Sequence, residues 1–312
     1  MDLKTLEEVL ACLDEDRRLF FYFEEQYAVY MLSKLIGEKQ HLAISQIRQH
    51  CLAKLLNKPR VKSIIRHCGD GVLTHERLES FIADSYKTFV VTLAHWGHCD
   101  SYNWSQTSRP GVNLVLQFNL TNEHDQMVRN IGLDTELFKR WGHPIHQQKS
   151  SIAWSRIDFD LESGKALIEE IQTDWIRIAS YHHRVAVCAQ KNGNEQYRYG
   201  GAYYETEKTL RYTNQFLATY GKCWSEVVLG YSIQFIADEL GIKDVYYHDY
   251  ETGAVLKNLR SSRPPKSLYT ELPKKFCFSQ TSEGPSFVIQ DKRAKRRYKK
   301  IKSPMWWHLK VA

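Results

Sequence analysis

Apolar residues recur at intervals of three and four through most of the first part of the chain. LKTLEEVLACL, FFYFEEQYAVYMLSKLIG, HLAISQIRQHCLAKLL and HERLESFIADSYKTFVVTLAHW each gather apolar side chains on one side of a helix. Breaks fall at Gly37, at Lys58-Pro59 and at Cys68-Gly69-Asp70-Gly71. The spacing predicts a helical region over 1–96. Beyond it the texture changes. GHCDSYNWSQTSRPG is polar and loop-like, and VNLVLQFNL alternates as a strand does. NEHDQMVRNIG and DTELFKRWG predict short helices or turns. SIAWSRIDFD and KALIEEIQTDW, joined by LESG, predict a hairpin. WSEVVLGYSIQFIADELG aligns Val227, Val228, Tyr231, Phe235, Ile236 and Leu240 and stops at Gly241, which predicts a helix. KDVYYHDY, FCFSQ, SFVIQ and MWWHLKV are predicted strands, and GAVLKNL a short helix. Between 176 and 222 the pattern offers only a Gly pair followed by a helix-like stretch. The expected fold class is α/β: a helical region at 1–96 packed on a mixed sheet formed by 97–312.

Composition adds further constraints. At 312 residues, 43% hydrophobic and 25% charged, the chain is long and apolar enough to bury a core. No apolar run approaches the roughly 20 residues that span a bilayer. The start, MDLKTLEEVLACLDEDRR, is acidic and lacks the apolar centre of a secretory signal. The expectation is a cytoplasmic protein with no membrane partner. Its seven scattered cysteines, with no CxxC, fit reduced thiols. The net charge of +7 is concentrated in DKRAKRRYKKIK at 291–302, and the rest of the chain balances. Lys292, Arg293, Lys295, Arg296, Arg297, Lys299 and Lys300 are therefore a candidate site for nucleic acid or another polyanion. A solvated linker or loop is the alternative.

The hairpin carries the densest chemistry. Side chains on a strand alternate between faces. Pairing the apolar sides of the two arms leaves Arg156, Asp158, Asp160, Glu170, Gln172 and Asp174 on one face, with Trp154 and Trp175 at its margins. Four carboxylates so close repel one another unless a cation, a metal ion or solvent offsets them. A face turned to water is the competing expectation. His95-x-x-His98-Cys99-Asp100 holds ligand-type residues without a second cluster, and His182-His183 are candidate proton carriers on a loop. No GxSxG elbow and no P-loop is present.

Glu170-Ile171-Gln172-Thr173-Asp174-Trp175 resembles the E-I-Q-S-D-W signature of a domain of polyvalent proteins in phages and mobile elements, with Thr173 in place of Ser. Trp224-Ser225-Glu226, Ala237 and DVYYHDY match the W-x-E helix, its Ala and the strand that follow in that family. The order of elements also resembles the GCN5-related N-acetyltransferase (GNAT) fold: a meandering hairpin, a central strand, a helix, a strand, a short helix and a last hairpin. That resemblance implies an acyltransferase using acetyl-CoA. Glu170 or Asp174 would be the general base, its pKa raised by neighbouring carboxylates. Tyr269 would be the acid, Glu226 would lie near the hairpin, and Arg198, Gly200 and Gly201 would cradle phosphate. Two alternatives stand beside it. One is a Mg²⁺-dependent nuclease similar to the PD-(D/E)xK class, with Asp158 or Asp160 and the E-x-Q of Glu170 and Gln172. The other is a non-catalytic nucleic-acid accessory protein that docks a basic partner on the acidic face.

Overall fold

The computed structural model describes residues 1–13, 17–80, 86–97, 106–259 and 263–312. In chain order the strands are β1 (Arg17–Tyr22), β2 (His41–Ala43), β3 (Val72–Thr74), β4 (Lys87–Trp96), β5 (Asn113–Asn119) and β6 (Ser151–Asp160). They continue as β7 (Lys165–Gln172), β8 (Gln196–Tyr199), β9 (Ala202–Glu205), β10 (Asp244–His248), β11 (Ser279–Thr281) and β12 (Trp306–Lys310). Eight of them form one mixed sheet in the order β1-β4-β5-β6-β7-β10-β12-β11. Neighbours are antiparallel except β7 and β10, which run parallel. A parallel pair needs a long crossover. Here it comprises the Trp175–Lys191 helix, the β8–β9 hairpin, the Thr206–Tyr220 helix and the Trp224–Asp238 helix. The expected α/β class, with a mixed sheet and helices packed on it, is the one observed.

Two apolar runs expected in helices are strands instead. The FFY of FFYF lies in β1 and KTFVVTLAHW forms β4, so the 1–96 region supplies two strands of the main sheet. β-Branched and aromatic residues favour a pleated surface, and in a short apolar run periodicity separates helix from strand poorly. Pairing decides: Phe20 sits opposite Phe89, their rings 6.5 Å apart. The helix begins only at Gln26. SFVIQ, expected as a strand, gives the short helix Ser286–Ile289. FCFSQ is a strand only from Ser279. His182 and His183 lie on the Trp175–Lys191 helix, not on a loop.

Both faces of the sheet are covered. On one side Ser155, Ile157, Ile168 and Ile171 meet the Trp224–Asp238 helix, and Ser155 bonds Ser232 at 2.7 Å. On the other, Leu167, Tyr246 and Trp306 form a second core with Leu256, Phe287, Val288 and Ala294. Trp175, fully buried, anchors the crossover. It stacks on Phe138 at 5.1 Å and donates its indole N–H to Tyr212 at 2.7 Å. Among the described residues no helix is long and apolar enough to cross a membrane.

Candidate active site

The β6–β7 register explains how so many charges share a small region. Trp154 pairs with Gln172, Arg156 with Glu170 and Asp158 with Leu167, but the ladder slips between Arg156 and Ile157. Glu169 is the extra residue, a β-bulge. A bulge re-aims side chains. Instead of alternating away from Glu170, Glu169 reaches Ser108 and His248, and His248 follows Tyr246 and Leu167 on the face of Glu170. Simple alternation put Glu169 on the apolar side and Ile168 beside Glu170. The bulge reverses both.

This face is buried, not solvated. Arg156, Asp158, Glu169 and Glu170 are each at most 6% exposed. Buried charges persist only when paired, and each carboxylate has its own cation or donor set. Asp158 accepts a two-bond fork from Arg109, at 2.7 and 2.9 Å, and a bond from the Met1 amine at 2.8 Å. Glu170 pairs with Arg156 and lies 3.8 Å from the Lys257 ammonium. Glu169 accepts from the Ser108 N–H at 2.9 Å, from its hydroxyl at 2.8 Å and from His248 Nε2 at 3.0 Å. Lys257 also caps the Glu169 carbonyl at 3.0 Å. Burial pushes the Glu169 and Glu170 carboxyls upward, but the cations and donors outweigh it. Glu169 is held down to about 2, and Glu170 is also lowered. The expected raised pKa at Glu170 is thus overturned, because Lys257 and Arg156 face it more closely than any carboxylate.

Beside Gln172 a cleft of about 130 Å³ opens, walled by Trp96, His143, Trp154, Arg156, Glu170 and Gln172. At its mouth His143 Nδ1 lies 2.6 Å from Asp174 Oδ2. Asp174 is buried, while the His143 side chain is one-third exposed, at 33%. Gln172 Nε2 donates to Asp174 Oδ1 at 3.2 Å, and Arg177 also pairs with this carboxylate. Burial raises the Asp174 carboxyl, but His143, Arg177 and Gln172 bring it below its usual value, again the reverse of expectation. The ionised Asp174 accepts a charge-assisted hydrogen bond from the His143 Nδ1–H, which leaves Nε2 as the nitrogen that can accept a proton. Trp154 is 4% exposed, and its Nε1–H has no hydrogen-bond partner among the described residues.

Glu170 and Gln172 face the cleft, Ile171 faces the core and Asp174 orients His143. The Thr173 hydroxyl donates to the Ile152 carbonyl at 2.6 Å and accepts the Ile176 N–H at 3.1 Å, a role that Ser fills equally well.

Other expected site residues fall elsewhere. Asp160 lines a separate cavity of about 370 Å³ with Arg109 and Asp291. Glu226 lies on the helix that covers the Ser155 face, bound to the Tyr22 hydroxyl, the Glu25 N–H and Lys275, so it does not join the hairpin's polar face. Tyr269 is the exception: it stacks on Tyr247 at 5.1 Å with the Lys257 ammonium, which faces Glu170, 5.7 Å from its ring, and burial pushes its phenol well above 10. Gly200 and Gly201, at φ of 56° and 89°, form the two-residue turn between β8 and β9, and Arg198 pairs with Tyr203 in that ladder. The helix that follows β7 starts behind the Asp174 carboxylate, so these residues do not fit a pyrophosphate there. Both Asp158 oxygens already accept from Arg109, and Glu170 Oε2 faces Arg156 and Lys257. Among the described residues no group of three or more His, Cys, Asp and Glu is arranged to hold a metal ion. His98, Cys99 and Asp100 lie outside the described residues, and His95 is exposed at the end of β4. His182 is buried against Tyr197, at 2.7 Å, and burial lowers its pKa to about 4.

Sequence reasoning missed His143, Ser108, His248, Lys257 and Arg109, and it named Trp154 only as a margin. None of them stands at a telling spacing from the hairpin; the sheet brings them in from distant segments.

Comparison with protein-family models, curated proteins and solved structures gives no significant match. Fold and cleft together define a mixed α/β protein with an imidazole–carboxylate pair at the mouth of a small, indole-walled cleft.

Proposed function

We propose that the cleft is the active site of a diverged GNAT-like enzyme, in which His143, oriented by Asp174, takes the proton from an attacking amine or hydroxyl. The observation that carries this reading is the 2.6 Å contact between a partly exposed imidazole and a buried, ionised carboxylate at the mouth of the cleft. It replaces Glu170 as base, because Glu170 is neutralised by Arg156 and Lys257. The Trp154 Nε1–H is buried without a partner among the described residues, so a substrate's carbonyl oxygen would reach it only through movement of the indole. The reaction class is acyl transfer. It is supported by the sequence resemblance and by the run of antiparallel strands, central strand, crossover, parallel strand and last hairpin. An acyl donor with a pyrophosphate would have to bind somewhere other than Gly200 and Gly201.

Two acyl donors test this: thiol release from acetyl-CoA in the presence of a primary amine, and nitrophenolate release from 4-nitrophenyl acetate. Turnover of either donor that falls about 100-fold or more in both His143→Gln and Asp174→Asn, with unchanged circular dichroism, is expected. No turnover of either donor, or equal turnover in the variants, removes the assignment.

A further inference from the structure

We infer that the basic helix Lys292–Tyr298 and the cavity beside it form a binding site for the phosphodiester backbone of a nucleic acid. The run at 291–302 is not a solvated tail. Asp291 caps the helix through the Arg293 and Ala294 N–H groups at 2.9 and 2.8 Å. Ala294 is fully buried in the second core with Trp306 and Leu256. Arg297 is pinned by a 2.6 Å bond to the Leu256 carbonyl. With one side of the helix fixed, Lys292, Arg293, Lys295, Arg296, Lys299 and Lys300 are held exposed at set intervals. That preorganisation reduces the ordering cost of meeting a row of phosphates.

A cavity of about 230 Å³ continues this surface, and Arg263, Arg297 and Lys300 line it. Of these, Arg263 donates to both oxygens of Glu251, at 2.9 and 3.1 Å. Among the described residues no carboxylate pairs with Lys292, Lys295, Arg296, Lys299 or Lys300. The segment carries all of the chain's excess positive charge. A helix that lies on a membrane turns an apolar face outward. Here the apolar face is turned into the core, and the exposed large apolar side chains of the described residues lie in other segments. A polyanion with discrete, regularly spaced charges fits better than a lipid surface.

The test uses the full chain, fluorescein-labelled mixed-sequence DNA and RNA, single-stranded and duplex, and fluorescence anisotropy between about 50 and about 200 mM NaCl. Binding should weaken steeply with salt. Lys295→Glu combined with Arg296→Glu, both exposed, should weaken it at least about tenfold and flatten the salt slope. Lys300→Ala should lower that slope by about one. Lys62→Glu with Lys191→Glu, on other surfaces, should change little. No binding, binding without salt dependence, equal loss in the two charge-reversed pairs, or binding to phosphatidylserine vesicles alone overturns the inference.

Discussion

A single extra residue sets the character of the polar face. Because Glu169 bulges, two consecutive carboxylates point the same way, and each needs its own counter-group: Ser108 and His248 for one, Arg156 and Lys257 for the other. The Glu169 carboxyl titrates near 4.5 when unfolded and about 2 when folded. Its contribution to stability is complete above pH 4.5 and is lost as pH falls towards 2. Glu169→Gln should therefore flatten the acid limb of the stability profile. It should also cost about 3 kcal/mol at neutral pH, because it leaves buried donors poorly matched; urea titrations across that pH range measure both. At the cleft, Trp154→Phe keeps the aromatic bulk and removes only the N–H. If the indole donates to the developing oxyanion, kcat should fall about 100-fold with little change in KM. A change confined to KM would reduce Trp154 to a packing role.

At the scale of elements, close packing fixes the site. The Tyr250–Leu256 helix reaches His248 because residue 253 is glycine: a Cβ there would lie 2.9 Å from the His248 Cβ and Cγ. Gly253→Ala should destabilise the fold by about 1–3 kcal/mol and move the His248 ring resonances, since those atoms cannot swing away as a side-chain tip can. Chemical denaturation and NMR would register both. The crossover depends on Trp175 in a comparable way. Trp175→Ala removes a stacked indole and its bond to Tyr212, at a cost of about 3–5 kcal/mol in denaturant unfolding. Element type was legible where amphipathic spacing ran long, as in the Trp224–Asp238 helix. It was not legible in FFYF and KTFVV, where β1 and β4 become strands only by pairing across the sheet, β1 with β4 and β4 with β5. The two-residue turn at Gly200-Gly201 was visible as a glycine pair, but its place in a hairpin far from β7 was not.

Across the whole molecule, burial on both sheet faces turns a charged strand into an internal network, and acid should loosen it in two stages. His182, lowered to about 4 by burial, binds fewer protons folded than unfolded, so stability falls as pH drops from 6.5 towards 4. The carboxylates then add their loss below 4.5. Unfolding midpoints followed from pH 7 to pH 3 should decline throughout, and His182→Gln should soften the upper part of the decline. The sequence by itself determined the α/β class, the β6–β7 hairpin, the shared face of Arg156, Asp158, Glu170 and Gln172, and the basic run. Each of these follows from local periodicity or charge density, which a linear chain displays directly. Only the tertiary structure decided that this face is buried, that Glu169 joins it, that each buried carboxylate already holds a cation or hydrogen-bond donors, and that His143 meets Asp174. Those outcomes depend on which distant segments the sheet brings within hydrogen-bonding distance, and no spacing along the chain encodes that.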